Sequence, residues 1–215
     1  MRQNDYLPNT NFKLIQDDSF YHFNSDTTLL GEFIQIKQKD KVLDIGCNTG
    51  ALLLYASVFM PSLLCGIDLF DDVIELAKKN MELNDVHAEL YSCDVKEFHH
   101  EPFDVILCNP PYFNTQKGSL KNVNPYISAA RHETYLPLDV LFFNVNRLLK
   151  DNGIFYMVHR PVRLNDIVLL AHQNSLSIQE LQIIYKRKDE KPRTILLKLR
   201  KSLHTDLTIL KPIYM

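Results

Sequence analysis

The 215-residue chain predicts an α/β fold, a doubly wound seven-stranded sheet that is mostly parallel and closes with an antiparallel terminal hairpin. Three observations predict it. Short apolar runs of strand length alternate with longer amphipathic runs, the pattern of a parallel sheet with helical crossovers. Acidic or amide residues follow successive strand-like runs, at the sheet edge where open α/β folds place ligands. The last two apolar runs are joined by Lys188-Asp189-Glu190-Lys191-Pro192, a polar connection short enough for a hairpin.

Each element has its own warrant. An irregular arm precedes a helix over 26–37, started by Ser25 or Asp26. Strands are expected at about 41–46, 63–68, 87–92, 103–108 and 153–158, and helices at about 50–60, 71–84, 137–150 and 162–173. In the 137–150 helix, Leu138, Leu141, Phe142, Val145, Leu148 and Leu149 share one face, Pro137 opens the first turn and Gly153 follows the end. Strands at about 177–186 and 193–200 form the closing hairpin. The polar segment Asn114 to Ser128 has no period and is long enough for a lid or substrate loop. No internal repeat interrupts this order, and residues 1–215 are expected to form one domain, with 1–38 as an arm and helix covering the site.

Composition excludes several classes. The first residues, Met1-Arg2-Gln3-Asn4-Asp5, are polar, and the longest apolar stretch, Ala51 to Ile67, is broken by Pro61 and Ser62, so neither a signal peptide nor a spanning helix is expected, and the reading is a soluble, cytoplasmic protein without a membrane partner. Cys47, Cys65, Cys93 and Cys108 show no CxxC pair and no zinc-finger spacing to His, which predicts reduced thiols and no metal site. Net charge is −2 but uneven: residues 1–150 carry 13 Lys+Arg and 20 Asp+Glu, a balance of −7, whereas residues 151–215 carry 11 and 6, a balance of +5. Within Lys186 to Lys201, Lys186, Arg187, Lys188, Lys191, Arg193, Lys198, Arg200 and Lys201 face only two acidic residues, a density that attracts a polyanion or simply coats a solvated hairpin.

Asn109-Pro110-Pro111-Tyr112 leaves the run Phe103–Cys108 at a strand's carboxyl end. Two prolines fix φ and remove two N–H donors, leaving rigid carbonyl acceptors beside the Asn amide oxygen, with an aromatic ring next in line. Such a corner suits a flat substrate bearing an NH2 group. Asp44-Ile45-Gly46-Cys47-Asn48-Thr49-Gly50 joins the first strand to the following helix. Its glycines lack the G-x-G-x-x-G spacing of a dinucleotide site, and the Asp44 carboxylate suits an ammonium better than a pyrophosphate. Asp68 ends the second strand, where a carboxylate can accept from both hydroxyls of a ribose. Asp94, after the third, is placed for an adenine amino group. Taken singly, each of these acids reads as a cap or turn residue. Together with the Asn-Pro-Pro-Tyr corner they describe a pocket for a ribosyl adenine with a cationic tail, beside a pocket for a planar amine.

At this point the chain resembles, over almost its whole length, the class I S-adenosylmethionine-dependent methyltransferases, with their Rossmann-like sheet. More narrowly, Phe23-Asn24-Ser25-Asp26-Thr27-Thr28-Leu29-Leu30, Asn109-Pro110-Pro111-Tyr112-Phe113, Ala130-Arg131-His132-Glu133 and Val158-His159-Arg160-Pro161-Val162-Arg163-Leu164 are similar to segments of the bacterial tRNA (valine) adenine-N6 methyltransferases. That family acts on the adenosine beside the anticodon, tRNA position 37. The chain departs from the family's acidic-x-Gly-x-Gly-x-Gly loop in carrying Asn48 for the middle Gly, and Asn tolerates left-handed backbone better than most residues.

The resemblance implies that Asp44, Gly46, Asn48 and Gly50 hold the methionine part of S-adenosylmethionine, Asp68 the ribose and Asp94 the adenine. Asp26 and Leu29 close the arm over it, and Asn109 adjoins both cofactor and substrate. Asn109 and the Pro110 carbonyl orient the target amine, and Tyr112 supports the base, with Pro111 and Phe113 beside it. Arg131 is placed at phosphate or in a turn contact with Glu133. Arg160, Arg163, Lys186, Arg187, Lys188 and Arg193 form the tRNA track. His132 and His159 are read as packing residues. The corner alone also fits guanine N2 or a protein glutamine amide, and a noncatalytic RNA-binding protein with a relict cofactor pocket is the alternative from another class.

Overall fold

The computed structural model describes residues 2–112, 126 and 135–215. A hairpin of β1 (Arg2–Tyr6) and β2 (Lys13–Asp17) is followed by α1 (Ser25–Phe33), β3 (Lys41–Ile45), α2 (Ala51–Ser57), β4 (Leu63–Asp68), α3 (Asp71–Leu83), β5 (Glu89–Ser92) and β6 (Phe103–Cys108). Next come α4 (Leu138–Leu148), β7 (Leu149–His159), a 3-10 turn at Pro161–Arg163, α5 (Leu164–Gln173), β8 (Ser177–Tyr185), β9 (Thr194–Arg200) and the short strands β10 (Thr208–Ile209) and β11 (Ile213–Tyr214). The main sheet runs β5-β4-β3-β6-β7-β9-β8. Its first five members are mutually parallel, and β9 runs antiparallel to both β7 and β8. The seven expected strands are therefore present in a mostly parallel sheet with an antiparallel hairpin. Among the described residues β10 and β11 add to the outer edge of β8, shielding donors and acceptors that an open edge would expose.

Burial on both faces explains the unbroken apolar runs. In β6, Val105 and Leu107 face the layer of α1, α2 and α3, while Ile106 and Cys108 face α4 and α5. The α4 stripe of Leu138, Leu141, Phe142, Val145 and Leu148 is buried as its spacing predicts. Leu149, expected in the same helix, already pairs with Phe103 as the first residue of β7, so helix passes into strand without a linker. The helix expected over 26–37 stops at Phe33. Ile34 and Ile36 are buried and Gln35 is exposed, which is the period of extended chain rather than of a helix.

The arm is a hairpin where an irregular segment was expected. Leu14 is fully buried and Gln16 nearly so, and the outer edge of β2 is satisfied by amide side chains. Asn80 on α3 accepts from the Ile15 N–H at 2.7 Å and donates back to the Ile15 carbonyl at 3.1 Å. One turn later Asn84 does the same for Lys13, at 2.9 and 2.7 Å. The two asparagines thus mimic a third strand. Asn80 also donates to the Thr49 carbonyl at 2.9 Å, tying the hairpin to the β3–α2 loop. Asn80→Ala leaves buried backbone groups unpaired and should lower unfolding free energy by about 1–3 kcal/mol; an unchanged urea midpoint would contradict this account of the docking.

Candidate active site

Because β3 to β7 are parallel, their carboxyl ends share one edge, and between β3 and β6 the crossovers diverge to opposite sides of the sheet. A cavity opens there, the position expected of a ligand site. Asp44, Gly46, Cys47 and Asn48 form its floor, Asp68, Phe70 and Asp94 one wall, and Asn109, Pro110, Pro111 and Tyr112 the other. Tyr21, Phe23 and Thr27 close it from the arm and α1, with Tyr126 and Tyr135 also at the rim.

The floor is a tight turn. Gly46 and Cys47 donate to the Ile67 carbonyl at 2.9 and 3.0 Å, and Gly50 to Cys47 at 2.9 Å. Gly46, Asn48 and Gly50 all have positive φ, +71°, +48° and +89°. At Gly46 an added Cβ would meet nothing within 4 Å, so the bare backbone faces open space; at Gly50 it would strike Met81 at 2.7 Å. Asn48 holds the left-handed geometry expected of it, donates its backbone N–H to Asp68 at 3.0 Å and its Nδ2 to the Tyr21 carbonyl at 2.8 Å. The residue that replaces a glycine therefore laces the arm to the loop.

The acids are in different states. Asp44 is 1% exposed, and neither carboxylate oxygen has a hydrogen-bond partner among the described residues. Burial, and then the Asp68 charge, hold its carboxyl well above the usual carboxylate range. Asp68 is also raised by burial, opposed by the backbone N–H groups of Asn48, Phe70 and Leu69. Asp94 accepts from the Lys96 backbone at 2.9 Å and pairs with the Lys96 ammonium at 3.0 Å. It reaches the cavity wall as the acid of an Asx turn.

Asp26 and Leu29 do not line the cavity. Asp26, also 1% exposed, accepts from Arg160 at 3.0 Å and from the Thr194 hydroxyl at 2.9 Å. Leu29 packs into the core beneath α1. Helical geometry turns Thr27 to the cavity in their place.

Asn109 donates through Nδ2 to the Thr27 hydroxyl at 3.0 Å and accepts at Oδ1 from the Tyr112 hydroxyl. Burial, followed by the Asp26 charge, holds the Tyr112 phenol well above its ordinary value, so it is a neutral donor at any working pH. The Arg160 guanidinium lies over the Tyr112 ring at 4.5 Å, and His159 meets that ring edge-on at 5.1 Å. His159 accepts from the Arg160 backbone N–H at 2.8 Å. Burial, then the Arg163 charge, lowers it to about 4, so it packs as a neutral ring.

Residues 19–169 match the methyltransferase small domain. The chain belongs to that family. A relative from Phocaeicola vulgatus, named tRNA1(Val) (adenine(37)-N6)-methyltransferase, is 27% identical over 215 residues, 96% of this chain and 90% of its own length. A namesake from Aliivibrio salmonicida is 30% identical over 74% of this chain and 68% of its own length. In fold the chain is similar to the 16S rRNA N2 G1207 methyltransferase of T. thermophilus, solved with AdoMet and guanosine: TM-score 0.66 at 17% identity, over 94% of this chain and 50% of that one.

The chain is thus a methyltransferase, and S-adenosylmethionine is its cofactor. The cavity fits it, because a buried carboxylate with both oxygens unanswered calls for a cationic ligand group, and the open backbone at Gly46 leaves room for one.

The basic residues expected on one track divide. Arg160 is committed to Asp26, with further bonds to Thr194 and the Arg193 carbonyl at 2.9 and 3.2 Å. Drawing it away to a phosphate would strand a buried carboxylate. Arg163 pairs with Asp166 at 2.7 Å. Lys186, Arg187, Lys188 and Arg193 are exposed, on the β8–β9 connection. Since His159 pairs with Ile195, that connection lies at the same edge as the cavity, and Arg193 reaches Ser25 at 3.5 Å. Phe113, Arg131, His132 and Glu133 lie outside the described residues, as does the segment expected as a lid apart from Tyr126. Tyr126 bonds Asp72 at 2.8 Å and packs its ring against Phe20 and Phe70.

Sequence reasoning missed Thr27, Tyr21, Phe70 and Tyr126. For the three aromatics the signal is rings clustered in polar connecting segments, as at Phe20-Tyr21-His22-Phe23; Thr27 lies within the segment that carries the family resemblance.

The state of Asp44 has a measurable consequence. The folded chain retains a proton here that the unfolded chain releases near pH 4, so this contribution to stability is complete below about pH 4 and is lost as pH rises toward the raised folded value. Asp44→Asn should therefore unfold later than the parent in denaturant at pH 8, without ligand, and the gap should narrow at pH 4. A parent more stable than the variant at pH 8 would show that the carboxylate is compensated.

Proposed function

We propose that this methyltransferase acts on the exocyclic N6 amine of an adenine in tRNA, at the adenosine beside the anticodon, position 37. The observation that carries the reading is the Asn109-Pro110-Pro111-Tyr112 corner, set across the β3–β6 switch point from the Asp44 carboxylate, which has no partner among the described residues. A site for a cation and a site for a planar amine are thus neighbours. The names of the Phocaeicola and Aliivibrio relatives point to the same substrate, and a tRNA substrate implies a cytoplasmic location.

In this reading residues 1–215 act as one domain. Asp44 takes the cofactor's ammonium, the Gly46 to Gly50 turn its methionine backbone, Asp68 the ribose hydroxyls and Asp94 the adenine amine. Tyr21, Phe23 and Thr27 cover it from the arm. Bound S-adenosylmethionine supplies an electrophilic methyl group, so the protein's task is positioning. The adenine leaves its stack and lies on the face of Tyr112 opposite Arg160, a contact worth about 1–3 kcal/mol. Asn109 Oδ1 and the Pro110 carbonyl accept the two amine hydrogens, which directs the nitrogen lone pair toward the methyl group. The Tyr112 hydroxyl yields Oδ1 to the amine, and the departing proton passes to solvent through these acceptors. His159, neutral and buried, is not required as a base. Lys186, Arg187, Lys188 and Arg193 supply the exposed charge for the tRNA backbone.

The test is to incubate the protein with labelled S-adenosylmethionine and unmodified tRNA, alongside a release-factor protein substrate, and identify the product by mass spectrometry. N6-methyladenosine at position 37 is expected; N2-methylguanosine or methylglutamine would move the reaction to another planar amine. Asn109→Ala should cut single-turnover methyl transfer by about 100-fold or more while cofactor affinity changes little. Near-parental turnover would remove Asn109 from the chemistry.

A second prediction concerns the basic connection. Replacing Lys186, Arg187 and Lys188 by Glu should weaken tRNA binding and reduce the slope of log affinity against log salt by about 0.7–0.9 for each phosphate that the variant no longer neutralises. An unchanged slope would place the tRNA elsewhere.

A further inference from the structure

The Asn109 amide lies between two hydroxyl groups of different standing. The one on Oδ1 belongs to Tyr112, in the corner itself. The one on Nδ2 belongs to Thr27, in the first turn of α1 and only 6% exposed. That turn is pinned from three directions. The Asn24 side chain caps it, accepting from Asp26 and Thr27 at 2.8 and 3.3 Å. Asp26, the preceding residue, is bonded to Arg160 after β7 and to Thr194 at the start of β9. Through Asp26 the turn that carries Thr27 is thus tied to both strands of the β7–β9 pair at the end nearest the cavity, and among the described residues Thr27 Oγ1 is the acceptor for Asn109 Nδ2.

An amide's terminal torsion is broad and nearly two-fold, so nothing intrinsic to Asn109 decides whether oxygen or nitrogen faces the substrate. Its partners hold one orientation here, with Nδ2 donating to Thr27 and Oδ1 accepting from Tyr112. We propose that Thr27 is a positioning residue for the methyl transfer: its hydroxyl accepts the Asn109 Nδ2–H and so presents Oδ1 to the exocyclic amine. The inference rests on the reading of Asn109 as the amine's acceptor. When the amine arrives it replaces the Tyr112 hydroxyl as donor to the same oxygen, and the bond to Thr27 stays intact throughout.

Thr27→Val keeps the shape and removes the hydroxyl; Thr27→Ser keeps the hydroxyl and removes a methyl. With saturating S-adenosylmethionine and tRNA, Thr27→Val should lower the single-turnover rate by about tenfold or more, a larger factor than any change in cofactor Kd. Thr27→Ser should restore the rate to within about threefold of the parent, and in an Asn109→Ala background Thr27→Val should add no further loss, since the two residues act as a unit. Should Thr27→Val not fold, Thr27→Ala takes its place as the variant without a hydroxyl. Parental turnover in the hydroxyl-less variant, or an equal loss in Thr27→Ser, overturns the assignment. If Asn109→Ala is inactive but Thr27→Val is not, the role of Thr27 alone falls; if Asn109→Ala retains parental turnover, the reading of Asn109 falls first.

Discussion

Burial of both faces of the parallel strands is the constraint on which the remaining architecture rests. Val105 and Leu107 of β6 enter one apolar layer, Ile106 and Cys108 the other, and beyond Asp104 at its start no position along the strand is left for a polar group that must meet solvent or ligand. Such groups are displaced to the strand ends. Because β3 to β7 are parallel, the ends that carry Asp44, Asp68, Asp94, Asn109 and His159 lie along one edge, and the divergence of the crossovers between β3 and β6 opens that edge into a cavity.

Two carboxylates at this edge are equally buried and treated oppositely. Asp26 and Asp44 are each 1% exposed. Asp26 is answered by a guanidinium and a hydroxyl, which joins α1 to β7 and β9 and fixes the wall that carries Tyr112 and Thr27. Asp44 is answered by nothing among the described residues. A buried acid compensated from within is a joint of the fold, whereas one left without a partner costs stability and offers its oxygens to a ligand. The same contrast separates Arg160, a corner residue, from Lys186, Arg187 and Lys188, which remain in solvent.

The elements are legible where pattern is local. Leu63–Asp68 and Phe103–Cys108 are strands with the expected bounds, because an apolar run of that length between turn residues has few other outcomes. Ile34-Gln35-Ile36 reads as helix in the sequence because its apolar residues also fit the end of a helical stripe; only the burial of both isoleucines shows a period of two. The arm is unreadable for a different reason. Its five-residue strands are short, and β2 owes its edge bonds to Asn80 on α3 and Asn84 at its C-cap, far along the chain.

The sequence by itself determined the fold class, the turn at Gly46 to Gly50, the acids after successive strands and the rigid Asn-Pro-Pro-Tyr corner. All of these follow from period, proline and glycine geometry within a few residues. Tertiary structure alone decided that Arg160 serves Asp26 and Tyr112 instead of solvent, that Thr27 and not Leu29 meets the cavity, that Asn48 is tied to Tyr21, and that Tyr126 packs between Phe20 and Phe70. Each of those is a pairing between segments distant in sequence, and a side chain's partner is set by which strand ends the sheet order brings together, a quantity that no local window contains.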